Sequence, residues 1–218
     1  MKTSKIIFIS FFGVIGLFLL SFLIQVPRDK RGFQFESETE ALPPFSHLVV
    51  TKGANLQVSY GTSDSIKLSH NKGVIVTKPV YWTKGDTLIV DPIPNQENFF
   101  LNLTCSGLKS ITLTESRVEL NQITLGNLQI EGKNAEINFS YNVSIDSLWL
   151  NLSSDSRFWC NSSTLKIVNL IADKSNADFS IDKISELKAE LRDNSELSTW
   201  KVLRSDIKSD ETSRYYSR

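Results

Sequence analysis

The sequence predicts an all-β fold: a parallel β-helix, or β-solenoid, of about five regular coils, with a β-rich N-terminal part and one transmembrane helix ahead of it. Three observations predict this. Short apolar-alternating segments return about every 20 residues from Lys109 onward, residues within each segment alternate with period two, and a long apolar run opens the chain. Five segments share one shape: SRVEL at Ser116, KNAEI at Lys133, SRFWC at Ser156, SNADF at Ser175 and SELST at Ser195. In each, a small or polar residue opens a turn, and apolar residues follow two and, in all but the last, four positions later. A coil this short cannot bury its own apolar face and must stack on the next.

The apolar run is Ile6 to Val26, 21 residues with only Ser10, Ser21 and Gln25 polar. At about 1.5 Å per residue it spans the roughly 30 Å of hydrocarbon in a bilayer. A cleaved secretory signal has a shorter apolar region and a small-residue cleavage step, and this run ends instead in Leu23, Ile24, Gln25, Val26 and Pro27. The expectation is an uncleaved signal anchor at 6–26 embedded in the lipid bilayer, with residues 1–5 cytoplasmic and the rest periplasmic or extracellular. Arg28, Lys30 and Arg31 oppose that orientation by the positive-inside rule, but large folded domains translocate despite flanking charge.

Residues 27–44 read as a linker, charged at first and closed by Pro43 and Pro44, which disfavour helix. Between Phe45 and Pro92, apolar segments at His47–Val50, Leu56–Tyr60, Ile66–Leu68, Gly73–Val76 and Thr87–Val90 are separated by Lys52-Gly53, Gly61-Thr62, Asn71-Lys72-Gly73 and Lys84-Gly85-Asp86. This is hairpin spacing. It predicts strands that close one end of the solenoid and protect its edge.

The loop Pro92 to Glu97 leads into Phe99–Cys105 and then the coils. One strand of each coil carries inward pairs Ile111 and Leu113, Leu128 and Ile130, Leu150 and Leu152, Leu170 and Ala172, and Ala189 and Leu191. A second carries Val118 and Leu120, Ala135 and Ile137, Phe158 and Cys160, Ala177 and Phe179, and Leu197. A third, less regular, uses Ile123 and Leu125, Val143 and Ile145, Leu165 and Ile167, and Ile184 and Leu187, so the cross-section is expected to be triangular. The domain is bounded at 45–200, and 201–218 is expected to be a cap, using Val202, Leu203 and Ile207, followed by a disordered tail.

FSHLVVTKGANLQVSYGTSDSIKL, the later DTLIV and the step LNLTCSGLKSITLTESRVEL resemble the head GIN domain, a family of bacterial envelope proteins labelled putative auto-transporter adhesins. The resemblance covers about Phe45 to Trp200 and rests on the order of segments. It implies a β-helical fold and a cell-envelope location, and it brings no catalytic residues. The family's glycine-rich turns are here Glu115-Ser116-Arg117, Gly132-Lys133-Asn134, Asp155-Ser156-Arg157, Lys174-Ser175-Asn176 and Asn194-Ser195-Glu196, of which one retains a glycine. Ser, Asn and Asp can make such turns through their own side chains.

Charge excludes one class of partner. The anchor and its flanks hold five of the 24 basic residues and one of the 24 acidic ones, which leaves 19 against 23 from Gly32 onward. A mildly acidic domain is not a nucleic-acid binder. Two cysteines, Cys105 and Cys160, occupy inward slots two to three coils apart, too far for a disulfide, and read as buried thiols. His47 and His70 belong to no metal-binding or nucleophile motif, and no cofactor signature occurs. The outward carboxylates Glu119, Glu136 and Asp178 invite comparison with the acid pairs of polysaccharide-cleaving enzymes, but Trp159 interrupts the ladder. The triplets at Asn102, Asn138, Asn142, Asn151 and Asn161 match the glycosylation pattern and are expected by chance in so Asn- and Ser-rich a chain.

The functional expectation is a non-enzymatic, membrane-tethered binding or surface-interaction module with an unidentified protein or glycan partner. Its alternatives are a structural or signalling partner in the envelope and, behind that, a polysaccharide-active enzyme. The candidate binding residues are Trp149 and Trp159, which alternation points outward on successive strands of one coil. Large amphipathic rings on a solvated face suit partner contact, unless the C-terminal tail or a side loop covers them.

Overall fold

A computed structural model of the protein describes Ile15 and residues 35–72, 81–91, 99–161, 163–181 and 183–217. Apart from Ile15 the expected anchor at 6–26 lies outside these residues, as do the expected strand at Gly73–Val76 and the loop from Pro92 to Glu97. Among the described residues no helix is long and apolar enough to cross a membrane.

Two sheets carry the described strands. The ten-stranded sheet runs, edge to edge, β1 (Phe35–Ala41), β4 (Ser65–Asn71), β7 (Phe99–Cys105), β3 (Asn55–Tyr60), β9 (Arg117–Asn121), β11 (Glu136–Phe139), β13 (Arg157–Asn161), β15 (Asn176–Ser180), β17 (Glu196–Thr199) and β19 (Arg214–Ser217). The nine-stranded sheet runs β5 (Tyr81–Lys84), β6 (Thr87–Val90), β2 (His47–Val50), β8 (Ser110–Thr114), β10 (Thr124–Lys133), β12 (Val143–Ser153), β14 (Ser163–Asp173), β16 (Ile184–Arg192) and β18 (Val202–Ser209). From β8 the chain alternates between the sheets, and every strand pairs in parallel with its equivalent one coil away. The expected all-β solenoid of about five turns is what the protein forms.

Period-two alternation puts one side of each strand from β8 to β17 between the sheets. Ile111, Ile130, Leu150, Leu170 and Ala189 form one inward column, and Val118, Ile137, Phe158, Ala177 and Leu197 form another. All are buried. Phe139, Phe158 and Phe179 step along the axis with ring centroids 4.9 and 5.0 Å apart. Each such side chain contributes roughly 1.5–3 kcal/mol, so these ladders dominate stability.

A column of small residues turns the corner between the sheets. Ala54, Ser116, Ala135, Ser156, Ser175 and Ser195 stack there, all buried. The residue before each is left-handed: Gly53 at φ 76°, Glu115 at 49°, Asn134 at 49°, Asp155 at 65°, Lys174 at 49° and Asn194 at 62°. Only a small side chain fits inside so tight a bend, and a serine there can also bond along the axis. The hydroxyls of Ser156, Ser175 and Ser195 accept the backbone N–H groups of Ala135, Ser156 and Ser175 at 3.1, 3.2 and 3.1 Å. Ser195 donates in turn to Arg192 O at 2.6 Å. The buried serine hydroxyls of this corner are thus satisfied, as interiors require.

Several expectations are corrected. Ser116 stacks on Ala135, not on Lys133, so KNAEI lies two residues out of phase; in the same way Ile130 pairs with Leu150 and Gly132 with Leu152. Gly132 fills an inward slot because a Cβ there would lie 3.1 Å from Ile137 and 3.3 Å from Leu152. There are two sheets rather than three faces of separate strands: the expected third and first strands are continuous in β10, β12, β14 and β16. A bend marks their junction, where pairing skips Gly126, Asp146, Lys166, Ser185 and Leu203. The bend shifts the alternation, so Ile167 points outward, 38% exposed, and Val168 takes its inward place.

The ends also differ from expectation. The second half of the linker is β1, antiparallel to β4. The tail is a further coil: β18 and β19 pair with β16 and β17, Val202, Ile207 and Tyr215 pack on the core, and Leu203 stays exposed. Of the hairpins expected in the N-terminal part, the described residues contain β5–β6. β2 and β3 lie in different sheets, and β6 and β7 flank them on one side while β8 and β9 flank them on the other.

Candidate functional site

Outward residues form columns along the axis just as inward ones do. On the nine-stranded sheet one column reads His47, Ser110, Gln129, Trp149, Asn169, Lys188 and Asp206. Trp149 is 46% exposed, and Ile167 and Ile171 on the neighbouring strand are 38% and 42% exposed. Leu148 and Leu150 on either side of Trp149 are buried, so its outward direction is set by the pleat. Trp149, Asn151, Asn169, Ile171, Lys188 and Glu190 border a surface depression of about 310 Å³.

On the ten-stranded sheet the corresponding column is Glu119, Asn138, Trp159, Asp178, Ser198 and Tyr216. Trp159 is 36% exposed and Tyr216 43%. A depression of about 320 Å³ lies along this column, with Arg157 and Glu196 beside it.

The two tryptophans expected to form one patch are therefore both outward but are not brought together. They lie in different sheets, because the corner at Ser154 and Asp155, both with positive φ, separates β12 from β13. The C-terminal segment does not cover them: it continues the sheets and supplies Tyr216 to the Trp159 depression. The expected cap and disordered tail at 201–218 leave that contribution out; the alternation of Tyr215 inward and Tyr216 outward is the sequence signal for it.

The carboxylates do not share one ladder. Glu119 and Asp178 are in the Trp159 column, separated by Asn138 and Trp159, whereas Glu136 stands in the next column and pairs with Arg117 at 3.5 Å. Cys105 and Cys160 are unbridged. Four strand steps from β7 to β13 put them about 19 Å apart, far beyond disulfide reach. Burial pushes both thiols up to about 12, which keeps them neutral and unreactive.

His47 has polar neighbours that sequence reasoning did not anticipate. Its Nδ1 is 2.6 Å from Ser110 Oγ, and its Nε2 is 3.5 Å from Asp86 Oδ2. The residue types are those of a nucleophilic triad, but the amides of Lys109 and Ser110 both donate to Ser46 O, at 2.8 and 3.2 Å, and so cannot cradle an oxyanion. The group ties β2, β8 and the Gly85-Asp86 turn together. His70 is buried, with Nδ1 3.0 Å from Asn71 O. Among the described residues no group of three or more His, Cys, Asp and Glu is placed to hold a metal ion.

Solved structures share this architecture. A putative adhesin from Bacteroides fragilis matches with a TM-score of 0.63 at 10% identity, covering 85% of this chain and 97% of that one. A putative adhesin from Parabacteroides distasonis matches at 0.61 and 9%, covering 86% and 95%. A putative lipid binding protein from the same species matches at 0.52 and 9%, covering 86% and 98%. Likeness at this identity shows the fold alone. No family model and no curated protein matches the chain.

Proposed function

We propose that this chain is an adhesin-like surface-interaction module of a bacterial cell envelope, of the head GIN type, tethered through residues 6–26 with its β-solenoid outside the membrane. It acts by contact rather than by catalysis. The observation that carries the reading is the cluster of Trp149, Ile167 and Ile171 on the outer face of the nine-stranded sheet, each more than a third exposed. Apolar side chains gathered on an otherwise polar outer face mark an interaction surface, and a parallel stack presents them at fixed spacing with little entropy left to lose on binding. The fold shared with proteins described as adhesins supports the same reading.

The test is adherence of the full chain, purified in detergent, to bacterial envelopes and epithelial surfaces. Trp149→Ala combined with Ile171→Ser should reduce adherence about tenfold or more, the scale of one anchoring aromatic, with an unchanged circular dichroism spectrum. Equal adherence by parent and variant would end the proposal. The tether is checked by mass spectrometry of the membrane form: a mature N-terminus between Pro27 and Pro44 would remove it.

A further inference from the structure

We infer that the depression on the ten-stranded sheet, bounded by Trp159 and Tyr216, is a binding site for a short neutral oligosaccharide. The inference rests on the surface-interaction reading but uses a different face, different residues and a ligand class that reading does not specify.

The geometry comes first. β13, β15, β17 and β19 are successive parallel strands, so Trp159 and Tyr216 stand three strand steps apart, about 14 Å. Between them in the same outward column lie Asp178 and Ser198. The result is a trough of about 320 Å³, within the range of small-molecule sites, with an aromatic at each end and hydrogen-bonding groups along the floor. It is longer than one sugar ring and suits a few linked ones. Pyranose rings have apolar C–H faces that lie on aromatic rings and hydroxyl edges that need both donors and acceptors. Trp159 and Tyr216 offer the first. The Asp178 carboxylate accepts, the Ser198 hydroxyl does either, and the Arg157 guanidinium donates.

Unmet hydrogen-bonding capacity is concentrated here. Among the described residues three buried side-chain atoms have no partner, and two of them, Asn138 Oδ1 and Ser198 Oγ, belong to this one column, on either side of Trp159 and Asp178. Native structures seldom leave such groups unpaired without a reason. Ser198 borders the trough. The remaining polar groups near the column are mostly satisfied internally: Asn138 Nδ2 donates to Ser140 Oγ at 3.1 Å, and Ser180 donates to Asp178 Oδ1 at 2.6 Å.

Charge selects the sugar class. Arg157 and Arg214, the latter beside Glu196 and bonded to Tyr216, are offset by Asp178 and Glu196, so the trough is close to neutral and offers no net positive charge to an anionic chain, a phosphate or a nucleic acid.

The experiment uses the full chain in detergent against a printed panel of neutral di- to tetrasaccharides and their uronic-acid counterparts, with calorimetry on the best binder. The expected result is binding of at least one neutral saccharide, weakened about tenfold or more by Trp159→Ala or Tyr216→Ala, the scale of one anchoring aromatic. Trp149→Ala should leave it unchanged. Tyr216→Phe, which keeps the ring, should retain most of the affinity, and Ser198→Ala, a change too small to unfold the sheet, should lower it. The inference is overturned if no neutral saccharide binds, if the acidic counterparts bind more tightly, or if Trp149→Ala weakens binding as much as Trp159→Ala. Loss of saccharide binding with Trp149-dependent adherence intact removes this site alone; the reverse pattern removes the Trp149 surface and leaves the trough.

Discussion

The regular coils from Ser110 to Ser217 and the N-terminal part from Phe35 to Cys105 solve the same problem by different means. In the coils each strand pairs in parallel with its equivalent one coil away, so one solution, repeated, serves every coil. The N-terminal part has to end the stack, and it does so by reversing direction: β1, β4 and β7 are antiparallel, and β5 folds back on β6. Reversal requires local fastenings. Asp64, buried, accepts from Phe45 N at 3.1 Å and from both the backbone N and the hydroxyl of Ser106 at 2.7 and 2.9 Å. Tyr81 donates to Glu40 and so links the two sheets across that end. A repeat can rely on periodicity, whereas a terminus depends on individual side chains.

The largest test of this contrast is Ile137→Asp. Ile137 is fully buried in mid-stack, and an unpaired carboxylate there costs several kcal/mol against a total of roughly 5–15, so circular dichroism should show an unfolded domain. Glu136→Lys, one residue away, loses the exposed pair with Arg117 and sets a lysine between Arg117 and Arg157, an exposed like-charge row that should cost about 1 kcal/mol in urea denaturation and leave the domain folded.

Next comes the N-terminal fastening. Asp64→Ala leaves three donors without their acceptor and should cost about 3 kcal/mol. Hydrogen exchange should show the loss concentrated in β1, β4 and β7, with the later coils still protected; uniform loss would mean that the two regions unfold as one.

The corner column should respond more weakly. Ser195→Ala removes an acceptor for Ser175 N and a donor to Arg192 O, and should cost about 1–2 kcal/mol by chemical denaturation. Lys174→Gly should instead stabilise by about 0.5 kcal/mol, because the left-handed strain of a lysine exceeds the entropy that glycine loses. A destabilised glycine variant would show that the lysine side chain contributes more than its backbone costs.

The smallest effects separate the two ends by pH. Partial burial, then the bond to Glu40, raises Tyr81 to about 12. Its contribution is complete below the ordinary tyrosine value near 10 and is lost as pH rises through about 12. Asp210 lies at the other end, where it accepts from Asp193 N, Ser213 N, and the hydroxyl and backbone N of Thr212; these bonds hold its carboxyl well below the usual range. Its contribution is complete above the ordinary aspartate value near 4 and is lost as pH falls. Ultraviolet titration of Tyr81 and carbon NMR of Asp210 should show the N-terminal end loosening in alkali and the C-terminal end in acid.

The sequence by itself determined the class of fold and the direction of most side chains, because both follow from local periodicity. A period of two inside a recurrence of about 20 residues allows little but a stacked β coil, and it placed Leu150, Phe158 and Phe179 inward and Trp149 and Trp159 outward without reference to any neighbour. Register was beyond its reach. Sliding a coil by two residues keeps every apolar residue inward, so nothing local distinguishes Lys133 from Ala135 as the partner of Ser116; the tight corner, which admits only the small side chain, decides it. Local pattern was equally silent on which faces meet. Trp149 and Trp159 are ten residues apart along the chain, yet a left-handed corner sends them to different sheets, while Tyr216, 57 residues beyond Trp159, arrives three strands from it on the same face. In a solenoid, proximity is set by the stacking of whole coils, and that is a property of the tertiary structure alone.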